Sequence, residues 1–278
     1  MPVKFSEYKW ESFDGLEYYA VSWAPDIYPK AVLALVHGHG EHCRRYDHWL
    51  SRFPEKGLAA VAFDYRGHGR SGGKRGVLRY YADFLQDVEL LLRKTRELFP
   101  GIPVILFGHS MGGNMVLSYC LRRAAIPQLA IITSPWIMLR KKPRPVMTAA
   151  ACLANRLTPR LTFKTGLKSK DFSEDKPGSE PRGKDDLLHN RISVRLFCEV
   201  KREGEWLLEN AYRLNIPVLL MQGLDDPIMD SNAGLKLFDN AAEKITYRGW
   251  HGARHQLHEF DDEGEVLRFI FNWIEQNI

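Results

Sequence analysis

Ser110 lies at the point where a short apolar run meets a helical pattern. Val104–Phe107 has the composition of a buried strand, Gly-x-Ser-x-Gly follows at 108–112, and Asn114–Ala124 has helical periodicity. A serine in such a sharp turn is held in a strained backbone conformation with its hydroxyl exposed. Glycines must flank it, because a Cβ there would collide with neighbouring backbone. Gly-x-Ser-x-Gly alone is a weak signal, but between a strand and a helix it predicts that Ser110 is a nucleophile.

A serine hydroxyl is a weak nucleophile at neutral pH, so it needs a histidine base that a carboxylate holds in place. Two later loops supply these groups, one after the predicted strand Val218–Gln222 and one after the predicted strand Lys244–Arg248. Spacing alone does not choose within either loop. The candidates are Asp225 and Asp226 in the first loop, and His251, His255 and His258 in the second.

The same histidines would also suit a metal ion. A glycine-containing loop does not place them on one face as a helix would, and the helical zinc motif His-Glu-x-x-His is absent. We therefore predict neither a metal site nor any other cofactor.

The oxyanion that forms when a serine attacks a carbonyl needs N–H donors fixed in advance. Met111 directly follows the nucleophile, and the sequence His-Gly-His-Gly-Glu-His at 37–42 follows the predicted strand Ala31–Val36. The glycines of that loop allow its backbone to approach a substrate oxygen. We predict that the amides of Met111 and His39 are the donors. The polar segment Asp64–Ser71 is predicted to be a structural turn.

Apolar runs alternate with helical patterns along most of the chain, after a predicted β-hairpin with its turn at Asp14-Gly15. The runs are continuous, as expected for strands that helices cover on both faces. The pattern predicts an α/β fold with a mostly parallel sheet. Further predicted strands are 59–63 and 129–133, and the predicted helices are about 45–56, 79–99, 111–124, 232–240 and 262–276.

One interval of some eighty residues, between Thr133 and Val218, has helical patterns but no convincing core strand. An insertion of that length is typical of a cap over the ligand-binding edge of the sheet. We predict a core formed by residues 1–135 and 213–278, and a helical cap formed by residues 136–212.

The predicted cap begins with a basic stretch. Trp136–Lys170 contains nine Lys or Arg and no Asp or Glu, in a chain whose formal net charge is only +5. No nucleic-acid-binding motif accompanies it, so we predict no nucleic-acid partner. Peripheral contact with an anionic membrane surface is one interpretation, and a solvated face without a partner is the other.

Composition indicates a globular protein without a leader or a membrane span. The chain has 278 residues, 45% of them hydrophobic, and its N-terminus contains no apolar signal region. No apolar run approaches the ~20 residues of a transmembrane helix. The four cysteines are far apart, which favours reduced thiols. We predict a cytoplasmic protein; its oligomeric state is left open.

Five motifs together resemble the monoacylglycerol lipase and lysophospholipase group of α/β-hydrolases. They are His-Gly-x-Gly-Glu-His at 37–42, Asp-x-Arg-Gly-His-Gly-x-Ser at 64–71, Gly-His-Ser-Met-Gly-Gly at 108–113, Gln-Gly-x-x-Asp at 222–226 and Gly-Ala-x-His-x-x-His at 252–258. The resemblance extends over nearly the whole length. It implies the α/β-hydrolase fold, a helical cap and a Ser-Asp-His triad.

The resemblance also implies roles that spacing left open. The acid is the last residue of Gln-Gly-x-x-Asp, Asp226, and the base is the first histidine of His-x-x-His, His255. A polar pocket for glycerol is implied for Glu41, Arg45 and His258. Two positions depart from the group: His39 stands where a small residue is frequent, and Met229 stands where some members have a cysteine.

These features predict a serine hydrolase that cleaves monoacylglycerol to fatty acid and glycerol through an acyl-enzyme. A lysophospholipase with the same triad is an alternative, since the basic cap would suit a phosphate. A carboxylesterase of smaller esters is another. A non-catalytic binding protein with this fold is a fourth, although none of the three triad residues is missing.

Overall fold

An eight-stranded sheet forms the centre of the molecule. Its strands are β1 (Val3–Glu11), β2 (Glu17–Pro25), β3 (Val32–Val36), β4 (Ala59–Phe63), β5 (Val104–His109), β6 (Leu129–Thr133), β9 (Val218–Gly223) and β10 (Ile245–Trp250). The order is β1-β2-β4-β3-β5-β6-β9-β10. β2 pairs antiparallel with β1 and β4, and the other neighbours are parallel. The computed structural model describes residues 3–123, 127–142, 144–172, 185–260 and 264–278.

The predicted strands and hairpin agree with this sheet. The hairpin turn is at Asp14-Gly15, where Gly15 has a φ of 78°, a backbone conformation that glycine adopts readily. The central strands are buried on both faces, so neighbouring residues contribute to different cores. In β4, Val61 and Phe63 face one core, while Ala60 and Ala62 face the other. This explains why the runs are apolar at every position rather than at alternate ones.

Helices cover both faces of the sheet. They are α1 (Asp47–Leu50), α2 (Tyr81–Leu98), α3 (Met111–Arg122), α4 (Pro145–Leu157), α5 (Ser169–Phe172), α6 (Val194–Asn210), α7 (Ser231–Asp239), α8 (Leu257–Phe260) and α9 (Glu265–Asn277). α2, α3, α6 and α7 contribute to the core on one face, and α1, α8 and α9 to the core on the other. Among these helices, none combines the length and apolarity of a transmembrane span.

One predicted helix is wrong in its continuity. The predicted helix 45–56 is a 3-10 turn at Cys43–Tyr46, then α1, then a second 3-10 turn at Pro54–Lys56. Pro54 has no amide hydrogen, so it cannot continue α-helical bonding after α1. The predicted helix at about 262–276 is confirmed as α9, whose N-cap is Gly264 in a left-handed conformation; residues 262 and 263 lie outside the described residues.

The interval between β6 and β9 contributes no described strand to the main sheet. It contains α4, α5 and α6, together with β7 (Thr162–Lys164) and β8 (Arg191–Ser193), which pair antiparallel as a separate small sheet. The segment 171–186, rich in Pro, Gly and charged residues, lies mostly outside the described residues. The division into a core and a cap at 136–212 stays a prediction.

A short segment of the predicted cap, residues 188–193, lies against the core, and we call it the strap. The His189 amide donates to Gly40 O (3.0 Å), and the Ser193 amide donates to Gly76 O (2.7 Å). The approach requires glycine on the core side. A Cβ at Gly40 would lie 2.1 Å from His189 O, and one at Gly76 would lie 2.0 Å from Arg191 O. The strap is therefore fixed to the core at two points.

Candidate active site

Ser110 occupies the strained turn that the sequence predicts between β5 and α3. Its φ and ψ are 54° and −117°, which non-glycine residues rarely adopt. A Cβ at Gly108 would lie 2.6 Å from Gly112 O, and one at Gly112 would lie 2.1 Å from Val36 O. The two glycines therefore let α3 pack closely against β3 and β5, and this packing holds the serine in place.

Ser110, His255 and Asp226 form one hydrogen-bonded chain. The distance between Ser110 Oγ and His255 Nε2 is 2.9 Å, and the distance between His255 Nδ1 and Asp226 Oδ2 is 2.7 Å. All three residues are buried. They follow β5, β10 and β9, whose carboxyl ends meet at the same edge of a parallel sheet. The arrangement allows His255 to take the hydroxyl proton while Asp226 fixes the orientation of the imidazole.

The surroundings of Asp226 favour the carboxylate form. Its Oδ1 accepts hydrogen bonds from the amides of Ile228 (2.8 Å) and Met229 (3.0 Å), and Gln222 Nε2 donates to Oδ2 (3.3 Å). Burial alone would raise the pKa of Asp226. Attraction to the positive form of His255 and the hydrogen bonds to the carboxylate outweigh burial and lower the pKa. The group is therefore an anion at neutral pH.

The other candidates of the two loops lie elsewhere. Asp225 Oδ2 accepts a hydrogen bond from the Gly252 amide (2.8 Å), so it fixes the histidine loop rather than His255 itself. His251 is exposed, and the ring of His258 packs against Tyr46 with centroids 4.2 Å apart. The hydrogen bonds thus join Ser110 to the same aspartate and histidine that the family resemblance implies, and their catalytic roles stay a prediction.

The loop after β3 is fixed on both sides of His39. Glu41 Oε1 accepts the Gly38 amide (2.6 Å) and the Tyr46 hydroxyl (2.9 Å), and the Tyr65 hydroxyl donates to Gly38 O (2.9 Å). Met111 is the first residue of α3, where amides have no intrahelical acceptor. The two predicted oxyanion donors therefore belong to a helix start and to a braced loop.

The segment 64–71 has the structural role that the sequence predicts. Asp64 Oδ1 accepts the Cys43 amide (2.7 Å), and Oδ2 accepts the Arg70 amide (2.8 Å). Asp64 thereby connects its own turn to the segment that follows the His39 loop. Cys43 and Cys120 are buried free thiols. No described group of His, Cys, Asp or Glu has the arrangement of a metal site.

A cavity of about 120 Å³, which we call the apolar cavity, opens beside the nucleophile. Ser110, His255 and His39 contribute to its wall, and most of the remainder is apolar. Its apolar lining includes Trp136, Phe163, Phe197, Ile228 and Met229. Phe163 and Phe197 belong to β7 and α6, so the predicted cap supplies part of this surface. An acyl chain is the kind of group that such a wall accommodates.

Glu41, Arg45 and His258 do not line the apolar cavity. Arg45 makes an ion pair with Glu259, and Glu41 Oε2 accepts a hydrogen bond from Gln256 Nε2 (3.0 Å). Burial is the main cause that lowers the pKa of His258 well below its usual value, so its imidazole is neutral. That these three residues bind glycerol stays a prediction.

The comparisons with known proteins place the chain in a family. Residues 28–263 match the Hydrolase_4 family, described as serine aminopeptidase, S33. The chain belongs to this family. The nucleophile turn, both later loops and the predicted cap fall within the matched residues, and residues 1–27 and 264–278 lie outside them.

The relatives of this Hydrolase_4 member include lipases. It is 28% identical over 275 residues to a monoacylglycerol lipase of Mycolicibacterium smegmatis, with 98% of both chains covered. The crystal structure of the Paleococcus ferrophilus monoacylglycerol lipase matches it with a TM-score of 0.79 and 28% identity over 100% of both chains. The predicted α/β-hydrolase fold is confirmed.

A further relative is much longer. An uncharacterized abhydrolase domain-containing protein of Dictyostelium discoideum is 32% identical over 260 residues. That match covers 92% of this chain and 27% of the Dictyostelium protein. The chain therefore spans about a quarter of that relative's length.

Sequence reasoning missed two side chains that brace the triad of this Hydrolase_4 member. Arg140 Nη1 donates a hydrogen bond to Asp226 O (2.7 Å). The side chain of Gln256 donates to Glu41, and the backbone amide of Gln256 donates to Phe172 O (2.9 Å) at the end of α5. In the sequence, only the position of Gln256 directly after His255 indicated that it lies at the site. Arg140 was counted solely as one of nine basic residues.

Proposed function

We propose that this chain is a serine hydrolase that cleaves the ester bond of a monoacylglycerol to fatty acid and glycerol. The observation that carries the proposal is the hydrogen-bonded chain from Asp226 through His255 to Ser110, at the wall of an apolar cavity. The monoacylglycerol lipases among its relatives support the substrate class. No cofactor enters the reaction.

In the first half of the proposed reaction, His255 Nε2 takes the proton from Ser110 as Oγ attacks the ester carbonyl carbon. The carbonyl oxygen becomes an anion, which the amides of His39 and Met111 bind. The tetrahedral intermediate then collapses, and the bond to the glycerol oxygen breaks. His255 donates its proton to that oxygen, so glycerol leaves as a neutral alcohol and the acyl group stays on Ser110.

In the second half, a water molecule replaces glycerol. His255 takes a proton from the water as its oxygen attacks the acyl carbonyl, and the same two amides bind the new oxyanion. Collapse of this intermediate returns the proton to Ser110 Oγ and releases the fatty acid. Asp226 stays ionised throughout and stabilises the imidazolium form of His255 in both halves.

We also propose that the predicted cap makes peripheral contact with an anionic membrane. In its basic stretch, Trp136–Lys170, the Lys and Arg residues with described side chains are all exposed: Arg140, Lys141, Lys142, Arg144, Arg156, Arg160, Lys164 and Lys168. Large apolar side chains are exposed among them, including Val146, Met147, Leu153, Leu157 and Leu161. Cations suit anionic headgroups, and exposed apolar side chains suit the interfacial region beneath them.

The apolar cavity is connected to this surface. Phe163 and Leu167 line the cavity beside Ser110, and both are at least one third exposed. A lipid that leaves a bilayer under the predicted cap would therefore meet apolar side chains on its way to the nucleophile. This arrangement favours a lipid ester over a small water-soluble one.

Hydrolysis of matched substrates tests the proposal. We expect release of decanoic acid from 1-monodecanoylglycerol at a kcat/KM at least tenfold above that for 1-decanoyl-lysophosphatidylcholine, with little turnover of tridecanoylglycerol. The Ser110→Ala variant is the control, and it should lose both hydrolysis and covalent labelling by a fluorophosphonate.

The alternatives give different results in the same assay. A preference for the lysophospholipid would identify a lysophospholipase, and a preference for short-chain esters would identify a carboxylesterase. A folded wild-type protein that neither hydrolyses these esters nor reacts with the fluorophosphonate would be a binding protein, and the proposed function would be wrong.

A further inference from the structure

The first five residues of the predicted cap, 136–140, run from the nucleophile to the triad acid, and we call them the connecting segment. At its start, the Trp136 amide donates a hydrogen bond to Ser110 O (2.9 Å). At its end, the Arg140 side chain contacts the backbone of Asp226. The connecting segment therefore touches both the residue that attacks and the residue that orients the base.

Backbone pairing joins the connecting segment to the loop that follows the triad acid. The Arg140 amide donates to Ile228 O (2.9 Å), and the Asp230 amide donates to Met138 O (2.9 Å). The single residue between these bonds on each side completes an isolated antiparallel bridge. Because two hydrogen bonds flank the bridge, the loop keeps a fixed register against the connecting segment.

The same loop holds the carboxylate of the acid. Asp226 Oδ1 accepts the amides of Ile228 and Met229. Ile228 thus gives its N–H to the carboxylate and its C=O to the Arg140 amide. A shift of the connecting segment would therefore carry the acceptor site of the carboxylate with it.

Helix α6 packs closely on the connecting segment. A Cβ at Gly204 of α6 would lie 2.1 Å from Ile137 O, so only glycine allows this approach. The segment is thus held between a cap helix and the acid loop.

The side chain of Arg140 adds a direct contact with the acid. Its Nη1 donates to Asp226 O (2.7 Å), which is the backbone oxygen, whereas the loop amides bind the carboxylate. A hydrogen bond from a charged donor is stronger than one between neutral groups. Arg140 is exposed and does not line the apolar cavity, so its contact with the site is through Asp226.

We propose that Arg140 is a positioning residue: by fixing the main chain of Asp226, it keeps the carboxylate aligned with His255 Nδ1. The inference rests on the proposed function, in which this triad cleaves the ester. The imidazole transfers a proton efficiently only when its carboxylate partner holds the ring in the correct orientation, and small displacements of catalytic groups lower the rate steeply.

Three substitutions test the role of the guanidinium. Arg140→Met keeps a long apolar side chain and removes the donor and the charge, whereas Arg140→Lys keeps a charged donor. Lys141→Met is the matched control, because it removes one positive charge from the neighbouring exposed position. The substrate is p-nitrophenyl butyrate, a water-soluble ester whose hydrolysis does not depend on membrane contact.

We expect Arg140→Met to lower kcat about tenfold with KM within about twofold of the wild type, because Asp226 moves while the substrate cavity does not change. Arg140→Lys should recover at least about half of the loss on a logarithmic scale. Lys141→Met should stay within about twofold of the wild type. Urea unfolding confirms that each variant is folded, and Arg140→Ala replaces the methionine variant if the latter does not fold.

Proton NMR gives a readout that a merely structural role would not move. The hydrogen between His255 Nδ1 and Asp226 Oδ2 resonates far downfield because of this short hydrogen bond, 2.7 Å between heavy atoms. Its resonance should shift or broaden in Arg140→Met and stay in place in Lys141→Met.

Equal kcat values in Arg140→Met and Lys141→Met would overturn the inference. So would a loss of kcat in Arg140→Met with an unchanged downfield resonance, or a rise in KM alone. The proposed function fails in a different way: a wild-type enzyme that cleaves p-nitrophenyl butyrate and not monodecanoylglycerol refutes the substrate and leaves the role of Arg140 intact. A wild type that cleaves neither ester would refute both.

Discussion

The site depends on a few side chains whose neighbours decide what they can do. Asp225 and Asp226 are adjacent in sequence, yet one binds the Gly252 amide and the other binds His255. The difference arises because successive residues of the loop after β9 point to different partners. Asp225 supports the backbone of the histidine loop, and Asp226 faces the histidine ring.

Substituting these two aspartates separates their roles. We expect Asp226→Asn to lower kcat on monodecanoylglycerol about 10⁴-fold, because an amide no longer selects the reactive tautomer of His255. Asp225→Asn is the matched control and should lower kcat less than about tenfold. Steady-state kinetics at pH 7.5 measure both, and equal losses in the two variants would contradict the assignment of Asp226.

Buried histidines make the stability of the protein depend on pH. Burial is the main cause that lowers the pKa of His39 to about 3 and the pKa of His189 to about 4 in the folded chain. An unfolded histidine has a pKa near 6.5. Between these values the unfolded state binds more protons, so stability falls as the pH is lowered from 6.5 toward 4.

Compared with neutral pH, each of these histidines lowers the free energy of unfolding at pH 5 by an amount on the order of 1–2 kcal/mol. Urea unfolding at pH 7.5 and pH 5 measures the loss. In His39→Asn the loss should be smaller than in the wild type, because one titrating group is gone. An unchanged loss would show that His39 is not buried as a neutral group.

Local sequence predicted Ser110 and the two loops that hold its partners, whereas the choice of Asp226 and His255 within those loops came from the family resemblance. Ser110 was found because a strand, two glycines and a helix surround it within a few residues, and all of that information is contiguous. The interaction between Gln256 and Glu41 joins residues 215 positions apart, and Arg140 reaches Asp226 from 86 positions away. No local pattern encodes such contacts, so these braces appear only in the folded chain.

The helix α3 connects the nucleophile to the predicted cap. Glu203 of α6 accepts hydrogen bonds from Ser118 Oγ (2.5 Å) and from Arg122 Nε (2.9 Å), and the Arg122 guanidinium lies 3.5 Å from the ring centroid of Trp206. Glu203 is 7% exposed. The position of α6 on α3 therefore depends on a buried carboxylate with several partners.

Glu203→Ala should destabilise the protein by about 2–4 kcal/mol, because Arg122 and Ser118 lose their acceptor in a buried setting. Arg202→Ala, one residue earlier on α6, is the control. Arg202 pairs with Glu199 at an exposed position, where loss of the pair costs less than about 1 kcal/mol. Chemical denaturation measures the loss of unfolding free energy in both variants. Similar losses would show that the hydrogen bonds of Glu203 with Ser118 and Arg122 do not stabilise the protein.

Element boundaries were predictable where the apolar pattern was strong. The strands β4 and β6 agree with the predicted runs at both ends. The helix expected over 45–56 was wrong because apolar periodicity outweighed the effect of Pro54. The strands β7 and β8, each three residues long, were missed because so short a segment has no periodicity to read.

The whole molecule combines an α/β-hydrolase core with a predicted cap whose surface exposes both basic and apolar side chains. The formal net charge of +5 gives little sign of this, because acidic residues elsewhere balance most of the basic ones. The exposed Lys164 and Lys168 directly follow Phe163 and Leu167, which line the apolar cavity and are themselves exposed. Contact with an anionic bilayer would place the mouth of the apolar cavity against the lipid.

Charge reversal tests this contact. The double variant Lys141→Glu/Lys142→Glu should bind vesicles of phosphatidylcholine with 30% phosphatidylserine at least tenfold more weakly than the wild type, since each lysine near the surface contributes roughly 1 kcal/mol. Lys4→Glu/Lys9→Glu makes the same change in net charge on β1, outside the predicted cap. Co-sedimentation at low salt measures both.

The two double variants distinguish a local surface from overall charge. Equal weakening would show that only the net charge matters, and no weakening in either would remove the proposed membrane contact. The difference should shrink at high salt, because screening reduces attraction between exposed charges.

The anchoring of the strap limits how a lipid can enter. His189 and Ser193 are bound through their backbones to Gly40 and Gly76, at places where the core leaves no room for a side chain. A hinge that lifted residues 188–193 would break both bonds and uncover the braced loop that contains His39. Because β7 pairs antiparallel with β8 in the strap, β7 is held in place with it, and we expect any opening to be confined to α4.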